Sequence, residues 1–193
     1  MIKELGPGFR LTLIFTILTG LLYPAVMTGL SEAIFPKQAN GSLVTVNGTL
    51  VGSSLIAQGF TKPEYFHPRP SAAGNGYDAT ASGGSNLGPT SQALMTRVQA
   101  AVVAFRKENP DFTGNIPSDI LTTSASGLDP HISPAAAEAQ AARVAKARGV
   151  SQDEVEPLIA QFTQRPDWGF LGEPRVNVLL LNIALDQKLP LAK

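Results

Sequence analysis

The sequence predicts an α+β protein in which a single N-terminal transmembrane helix precedes one mixed α/β soluble domain. Three observations predict this fold. The 21 residues from Leu11 to Ser31 include no charged side chain. Asn47-Gly48 lies between two short runs that alternate apolar and polar residues, as in a β-hairpin. Four later segments combine capping residues with the apolar spacing of helices.

The composition limits the classes of partner and chemistry. The chain has 193 residues with 15 basic and 15 acidic side chains. It therefore has no excess positive charge with which to bind a nucleic acid, and we predict no nucleic acid partner. Cysteine is absent, which excludes disulfides, thiolate metal sites and cysteine nucleophiles. With 18 glycines and 15 prolines, a good part of the chain must lie in turns and loops.

The charge-free run is long enough to cross a membrane. As a helix rising about 1.5 Å per residue, it spans a hydrocarbon core about 30 Å thick. Lys3 and Arg10 precede it, and basic residues favour the cytoplasmic side. The predicted organisation is therefore a short cytoplasmic tail at residues 1–10, a transmembrane helix at 11–33 and a soluble α+β domain at 36–193, on the periplasmic or extracellular side.

Three residues of the run indicate that this helix packs against a partner helix. Gly20, Pro24 and Gly29 would weaken a soluble helix, but membrane spans tolerate them, since small residues allow close approach. The alternative is a cleaved signal peptide, with residues 11–22 as its apolar stretch and Ser31-Glu32-Ala33 as a poor cleavage site. The length of the run and the glutamate at that site favour a retained anchor.

The soluble part begins with a predicted hairpin and a long loop. Residues 42–52 form the hairpin, because Asn47 and Gly48 accept the positive φ of a type I′ turn. Residues 54–58 are expected to extend the sheet. Between residues 60 and 89, repeated Pro and Gly interrupt any periodicity, and a loop of this length inside a compact domain is usually functional or mobile. We therefore expect a partner surface there.

Four helices are predicted after this loop. The first covers residues 91–109, from a capping Ser to the residue before a Pro. The second covers residues 133–149, with Ser-Pro at its start and basic residues before its final Gly. The third begins at the capping-box sequence of residues 151–154. The fourth follows Pro174, where apolar residues recur on two helical faces, as expected of a buried helix.

The sequence lacks common catalytic motifs. No Gly is followed by Lys, no Asp is followed by Lys-Thr, and Gly-x-Ser-x-Gly does not occur. These absences exclude a P-loop, the phosphorylated aspartate of P-type pumps and a nucleophile elbow. His67 and His131 lack the i, i+4 spacing that puts two metal ligands on one helical face. We therefore expect no enzyme, no catalytic residue and no metal site.

A serine hydrolase is the alternative in a different functional class. Ser124 or Ser126 could form a triad with Asp129 and His131, because triads are recognised by geometry and not by order. Three such residues within one short loop rarely point to one place. The other interpretations of residues 126–134 are a shaped loop leading to a helix cap, and a docking edge in which Asp129 contacts a partner.

Four further side chains are candidates for contact with a partner. Tyr65, Phe66 and Arg69 are of the types enriched at interface hot spots, with packing beneath a Pro-rich loop as an equal alternative. Asn177 places an amide in an apolar segment, where it needs a hydrogen-bond partner within this chain or across a subunit contact. Substitution of Arg69 or Asn177 is expected to weaken assembly without abolishing folding.

Seven short segments, in chain order and covering nearly the whole chain, resemble the C subunit of the Kdp potassium-transporting P-type ATPase of bacteria and archaea. Each segment alone is weakly specific, but the ordered set behind an N-terminal span is specific. The segments are Gln38-Ala-Asn-Gly-Ser42, Gly52-Ser-Ser-Leu-Ile56, Tyr65-Phe-His-Pro-Arg-Pro-Ser71, Ser82-Gly-Gly-Ser-Asn-Leu87, Ser124-Ala-Ser-Gly-Leu-Asp129, Gly172-Glu-Pro-Arg-Val-Asn-Val178 and Leu181-Asn-Ile-Ala-Leu-Asp186.

The resemblance implies a non-catalytic accessory subunit of a high-affinity ATP-driven potassium uptake complex. Such a subunit assembles and stabilises a channel-like potassium-binding subunit and a P-type ATPase subunit, beside a small membrane peptide and the lipid bilayer. It implies a single-pass protein of the inner (plasma) membrane. The alternative remains an exported soluble serine hydrolase released by signal-peptide cleavage.

The resemblance also implies a catalytic chaperone that raises the ATPase subunit's affinity for ATP through a glutamine. Gln140 is the candidate for this contact, with a solvent-exposed helix residue as the favoured alternative. No cofactor is expected to be tightly bound, and ATP is the only one implied. Because ATP is cytoplasmic, a domain outside the membrane cannot reach it. A nucleotide-binding regulator would therefore require the reverse topology.

Overall fold

The computed structural model describes residues 2–191, a mixed helix and sheet protein in two compact units. One unit comprises the chain up to Ser53 and the other the chain from Ser54 on. The predicted α+β class, with one apolar N-terminal helix and a domain with small sheets, is confirmed. The hairpin belongs to the same compact unit as the N-terminal helix. The predicted soluble domain at residues 36–193 is therefore divided between the two units.

The first unit contains one long apolar helix. It consists of α1 (Ile2–Ile17), a π-helical turn (Leu18–Leu22) and α2 (Tyr23–Ile34), followed by the short α3 (Pro36–Ala39). The span Lys3–Ile34 is long and apolar enough to cross a membrane, and none of its apolar window is buried. The helix begins well before the predicted start at residue 11, because charged residues limit membrane insertion but do not end a helix.

The π-helical turn lies inside the predicted membrane segment. The backbone N–H of Tyr23 donates to the Leu18 carbonyl, which closes the wider turn. Gly20 belongs to this turn, and Pro24 follows it in the first turn of α2. Apart from its chain neighbours and the nearby backbone of its own helix, a methyl group at Gly20 or at Gly29 would meet no described atom within 4 Å. These positions therefore leave room beside the helix.

The predicted hairpin is confirmed. Strands β1 (Leu43–Val46) and β2 (Thr49–Ser53) pair antiparallel, and the turn residues Asn47 and Gly48 have φ values of 49° and 78°. The predicted extension of the sheet by residues 54–58 is wrong. This segment bonds elsewhere, since the Ala57 N–H donates to the Leu128 carbonyl at 3.0 Å.

In its described residues the second unit packs five helices with one small sheet. Helices α6 (Pro134–Arg148) and α7 (Gln152–Phe162) form the centre of the core. Strand β5 (Arg175–Asn177) lies between β3 (His131–Ile132) and β4 (Thr163–Gln164), with antiparallel pairing on both sides. The predicted loop at residues 60–89 has no helix or strand. The elements are α4 (Gln92–Glu108), α5 (Ser118–Leu121), β3 (His131–Ile132), α6 (Pro134–Arg148), α7 (Gln152–Phe162), β4 (Thr163–Gln164), β5 (Arg175–Asn177) and α8 (Val178–Lys188).

Three of the predicted helix ends follow the expected capping chemistry. Ser133 accepts a hydrogen bond from the Ala136 N–H at the start of α6, and Gly149 ends that helix in the left-handed conformation. Ser151 and Glu154 form the capping box of α7. The prediction of a helix that includes Val176 is wrong, because residues 175–177 pair with two strands and α8 starts only afterwards.

Candidate functional site

A segment at residues 63–67, which begins in a turn closed by the Tyr65 N–H and the Lys62 carbonyl at 3.2 Å, crosses α6 and α8, and buried polar side chains hold its backbone. We call these four side chains the polar clamp: Gln140, Arg143, Arg148 and Asn182. All four are buried, and each bonds to main-chain groups of the segment. Because buried polar groups must be paired, the clamp makes an irregular segment without a neighbouring strand compatible with burial.

The two amides of the clamp act like a neighbouring strand. Asn182 Oδ1 accepts from the Phe66 N–H at 2.9 Å, and its Nδ2 donates to the Phe66 carbonyl at 3.0 Å. Gln140 pairs with His67 in the same way: its Oε1 accepts from the His67 N–H at 2.8 Å, and its Nε2 donates to the His67 carbonyl at 3.2 Å. A primary amide offers one acceptor and two donors on one plane, and this matches the N–H and C=O of one extended residue.

Arg143 joins the segment to two other parts of the domain. Its Nη1 donates to the carbonyls of Pro63 at 2.6 Å and Tyr65 at 3.0 Å. Its Nε donates to Asn109 Oδ1 at 3.0 Å, and Nη2 donates to Gln140 Oε1 at 2.8 Å. Burial lowers the pKa of Arg143 to about 10. The guanidinium therefore stays charged at neutral pH and uses its fork of donors on neutral acceptors.

Arg148 and Tyr65 form the outer end of the clamp. Arg148 donates to the Glu64 carbonyl at 2.8 Å and to the Leu189 carbonyl at 2.9 Å, and it forms an ion pair with Asp186 at 2.8 Å. Its guanidinium lies 5.1 Å from the centre of the Tyr65 ring. The Tyr65 hydroxyl donates to the same aspartate at 3.0 Å. Burial and that hydrogen bond raise the pKa of Tyr65, so it stays a donor at neutral pH.

Two loops interlock next to the clamp. We call residues 69–83 and 124–131 the loop pair. Ser71 Oγ donates to the Gly127 carbonyl at 2.6 Å, and the Gly83 N–H donates to the Ser126 carbonyl at 2.9 Å. These two hydrogen bonds to main-chain carbonyls join the long loop to residues 124–131 without regular secondary structure.

An ion pair between Arg69 and Asp129 joins the two loops of the loop pair. Arg69 Nη1 lies 3.2 Å from Asp129 Oδ2, and Asp129 Oδ1 accepts from the His131 N–H at 3.0 Å. Burial raises the pKa of Asp129, but the hydrogen bonds from His131 and the charge of Arg69 outweigh it, so the pKa lies below its usual value. Asp129 is therefore a carboxylate at neutral pH. The ion pair is half-buried and keeps one face open to solvent.

Gly127 is the tightest backbone approach in the loop pair. Its φ is 68°, and a methyl group there would lie 2.7 Å from both the Ala73 nitrogen and the Gly83 carbonyl oxygen. We expect Gly127→Ala to lower the free energy of unfolding by about 2 to 3 kcal/mol, because strain and overpacking add. Urea unfolding of the full chain in detergent, followed by far-UV circular dichroism, measures this change.

Gly149→Ala is the matched control for this substitution. Gly149 has a similar φ of 71°, but a methyl group there meets nothing within 4 Å. It therefore isolates the cost of left-handed backbone, about 1 kcal/mol. Equal losses for the two substitutions would contradict the close approach at Gly127.

The predicted contact residues fall into two groups. Tyr65, Arg69 and Asp129 are partly exposed. Phe66 is 0% exposed and Asn177 is 2% exposed, so a partner cannot reach these two side chains. Asn177 satisfies its amide within this chain: Oδ1 caps α8 and Nδ2 donates to the Ser54 carbonyl at 2.8 Å.

The expectation that Gln140 lies on a solvent-exposed helix face is wrong. Its exposed fraction is 1%, because the loop crosses this face of α6. The sequence predicted Arg143 and Arg148 only as basic residues that interact favourably with the helix dipole near its C-terminus. It did not predict that they bond to the backbone of residues 63–67. The sequence does contain one indication of these roles, the i, i+3 spacing of Gln140 and Arg143 in an Ala-rich helix. This spacing places both polar side chains on the same helix face, and that face is buried.

The predicted hydrolase residues do not form a relay. His131 Nδ1 lies 3.5 Å from Asp129 Oδ1, but within residues 2–191 no hydrogen bond joins the His131 ring to Ser124 or Ser126. Ser126 Oγ accepts from the Leu128 N–H at 3.1 Å and so shapes the turn. A nucleophile and its base need to be within hydrogen-bond reach, and this geometry does not favour the hydrolase alternative.

The surroundings of Gln140 offer little space for a ligand. A cavity of about 240 Å³ lies between Gln140, His67, Phe105 and Glu108, below the range of about 300 to 1,000 Å³ typical of ligand pockets. No group of three or more His, Cys, Asp or Glu side chains that could hold a metal ion occurs among the described residues.

A more open recess of about 630 Å³ lies beside the ion pair of the loop pair. Arg69, Asp129, Pro174 and Arg175 contribute to its lining. Its charged groups have both signs, so it suits a polar protein surface better than a single anion or cation.

Comparison with known proteins gives one consistent result. Residues 5–187 match the family model described as KdpC, the K+-transporting ATPase c chain. A Rhodospirillum rubrum protein named potassium-transporting ATPase KdpC subunit is 54% identical over 192 residues, with 100% of each chain covered. Proteins of the same name from Myxococcus xanthus and Caulobacter vibrioides are 56% and 54% identical. These alignments cover 94% and 98% of this chain, and 86% and 96% of theirs.

Proposed function

We infer the role of this chain from its family, because it belongs to the KdpC family of K+-transporting ATPase c chains. It is an accessory subunit of potassium uptake. We propose that it has no catalytic step of its own and that it assembles and stabilises the other subunits. In this proposal its partners are a channel-like potassium-binding subunit, a P-type ATPase subunit and a small membrane peptide.

The observation that carries this proposal is the exposed apolar helix. None of the apolar window of Lys3–Ile34 is buried, so its side chains need lipid or partner helices. Gly20 and Gly29 have free space beside them, and Pro24 follows the π-helical turn. Such positions allow another helix to approach closely. We propose that this face packs on a membrane subunit of the complex.

We propose a single-pass topology in the plasma membrane, the inner membrane where a cell has two. Lys3 and Arg10 precede the apolar run, and the positive-inside rule places them in the cytoplasm. The domain from Ser54 on then lies outside. An exported hydrolase would also place the domain outside, but within residues 2–191 no hydrogen bond joins the His131 ring to Ser124 or Ser126, which supports the anchored subunit.

Sided labelling of one introduced cysteine tests the topology, because the native chain has none. Ala147 is exposed on α6 and is therefore accessible to a labelling reagent. We expect an impermeant maleimide to label Ala147→Cys in intact cells with the outer barrier opened, while the chain stays in the membrane fraction.

A second cysteine controls for leakage of the reagent. Glu4→Cys lies before the apolar run and should be labelled only after the membrane is disrupted. Labelling of Ala147→Cys only after disruption would reverse the topology and place the domain in the cytoplasm. Recovery of the labelled chain in the soluble fraction would instead favour the exported alternative.

We propose that the partly exposed side of residues 60–89 and 124–134 contacts the outer face of a partner. Tyr65, Arg69 and Asp129 keep polar atoms near the surface, and the open recess lies beside Arg69 and Asp129. Phe66 and Asn177 support this surface from inside, since Phe66 is anchored by the clamp and Asn177 bonds Ser54.

For Gln140, we propose a structural role and not contact with ATP. Its Oε1 accepts from the His67 N–H and from Arg143, and its Nε2 donates to the His67 and Ala136 carbonyls. A nucleotide would have to replace these bonds. An effect of this subunit on ATP affinity would then pass through contacts with the ATPase subunit. External labelling at Ala147→Cys would exclude direct contact with cytoplasmic ATP.

A further inference from the structure

An apolar tip projects from the connection between β4 and β5. We call residues 167–171 the aromatic tip. Trp168 is 86% exposed, Phe170 is 73% exposed and Leu171 is 46% exposed. Within the described part of the chain, neither aromatic ring stacks on another ring or on a cation. These side chains therefore contribute little to the core of this domain.

The backbone holds the aromatic tip in one shape. Asp167 and Leu171 exchange two hydrogen bonds of 2.9 Å, and the Gly169 N–H donates to the Pro166 carbonyl at 3.0 Å. Trp168 has a φ of 53°, which is rare for a bulky residue and is often found at functional sites. A rigid loop loses little conformational entropy when it binds, so the tip is pre-organised for a partner.

The charges beside the tip favour a protein partner over a lipid surface. Residues 165–175 include Arg165, Asp167, Glu173 and Arg175, so the basic and acidic side chains balance. Loops and helices that bind anionic bilayers combine apolar residues with an excess of basic ones. Exposed Trp and Phe with balanced charges nearby are instead typical of an interface anchor with a polar rim.

We propose that Trp168 and Phe170 dock into an apolar recess on another subunit of the potassium-transporting ATPase. This inference rests on the proposed function, and it assigns a specific anchor to the assembly. The contact has an apolar centre made by the two rings and a polar rim that includes Asp167 and Arg175, whose side chains lie 3.5 Å apart.

Photocrosslinking in the intact complex tests the partner. A photoreactive benzoyl-phenylalanine replaces Trp168 in the full chain, the complex is irradiated in membranes, and adducts are identified by mass spectrometry. We expect an adduct with a peptide of another subunit of the same complex. The matched control is the same probe at Val103, which is 69% exposed on α4. An adduct with lipid or with a second copy of this chain would overturn the proposal, as would an equal yield of the same adduct at Val103.

A double substitution tests the energetic contribution. Because loss of a hot-spot side chain weakens binding by about 10-fold or more, we expect Trp168→Ser with Phe170→Ser to reduce recovery of the other subunits by about 10-fold after a detergent wash. The circular dichroism melting curve of the variant should match that of the native chain, since both rings are exposed. Full recovery would overturn the docking role.

The two levels of proposal fail differently. If the native chain does not co-purify with any subunit of the ATPase, the proposed assembly function fails, and the docking role fails with it. If the native chain and the double variant are recovered with those subunits to the same extent, only the docking role fails.

Discussion

Replacing Arg143 by Leu should lower the free energy of unfolding by about 3 to 5 kcal/mol, because several acceptors lose their donor and each unpaired buried group costs about 1 to 3 kcal/mol. Leu would remove the donor from the carbonyls of Pro63 and Tyr65 and from Asn109 Oδ1, and it would leave Gln140 Oε1 with its bond from the His67 N–H. Urea unfolding in detergent, followed by circular dichroism, measures the loss. The apolar N-terminal helix stays folded in the micelle, so the signal reports the second unit.

Two companion variants make the interpretation specific. Lys146→Leu removes a cation from an exposed position of the same helix, where its ion pair with Asp111 is long, at 3.8 Å. We expect it to change stability by no more than about 0.5 kcal/mol. Arg143→Lys keeps the charge but cannot reach all four acceptors, and should fall between the other two. Equal stability of Arg143→Leu and Lys146→Leu would refute the clamp.

Replacing Asn182 by Leu should lower the free energy of unfolding by about 2 to 4 kcal/mol. The substitution leaves both the N–H and the C=O of Phe66 buried and unpaired, and each such group costs about 1 to 3 kcal/mol. The similar volume of Leu limits any cavity, so the loss reflects hydrogen bonding. The same urea titration measures it.

Gln187→Leu is the control for Asn182→Leu. Gln187 is an exposed amide on the same helix, and its replacement should have an effect within about 0.5 kcal/mol. A stable Asn182→Leu variant would show that water or a shifted backbone satisfies Phe66, against the arrangement described above.

The structural features that depend on residues close together in the sequence could be predicted from it. Asn47-Gly48 specifies its turn through two residues that accept positive φ, and Ser133, Gly149 and Ser151 mark helix ends through bonds that span only a few residues. The apolar helix is equally local, because its length and lack of charge are read directly along the chain.

Features set by distant partners were not predictable from one sequence. Val176 fits helical spacing, yet it lies in a strand because Ile132 and Thr163 pair with it from both sides. Gln140 is buried because His67, 73 positions away, lies across it. No local sequence pattern predicts contacts between such distant residues. The sequence therefore indicated which residue types belong to the candidate site but not what each residue contacts.

The same distances set the order in which this domain can fold. Asn182 bonds to Phe66 across 116 positions of chain, and its helix α8 is the last of the helices in the described part of the chain. Closing so long a loop is slow relative to forming a local helix. A chain still being synthesised can form α6 and its bonds to residues 63–67, but it leaves Phe66 without its backbone partner. The segment is fully held only when α8 is in place, so until then it is more open to proteases and chaperones.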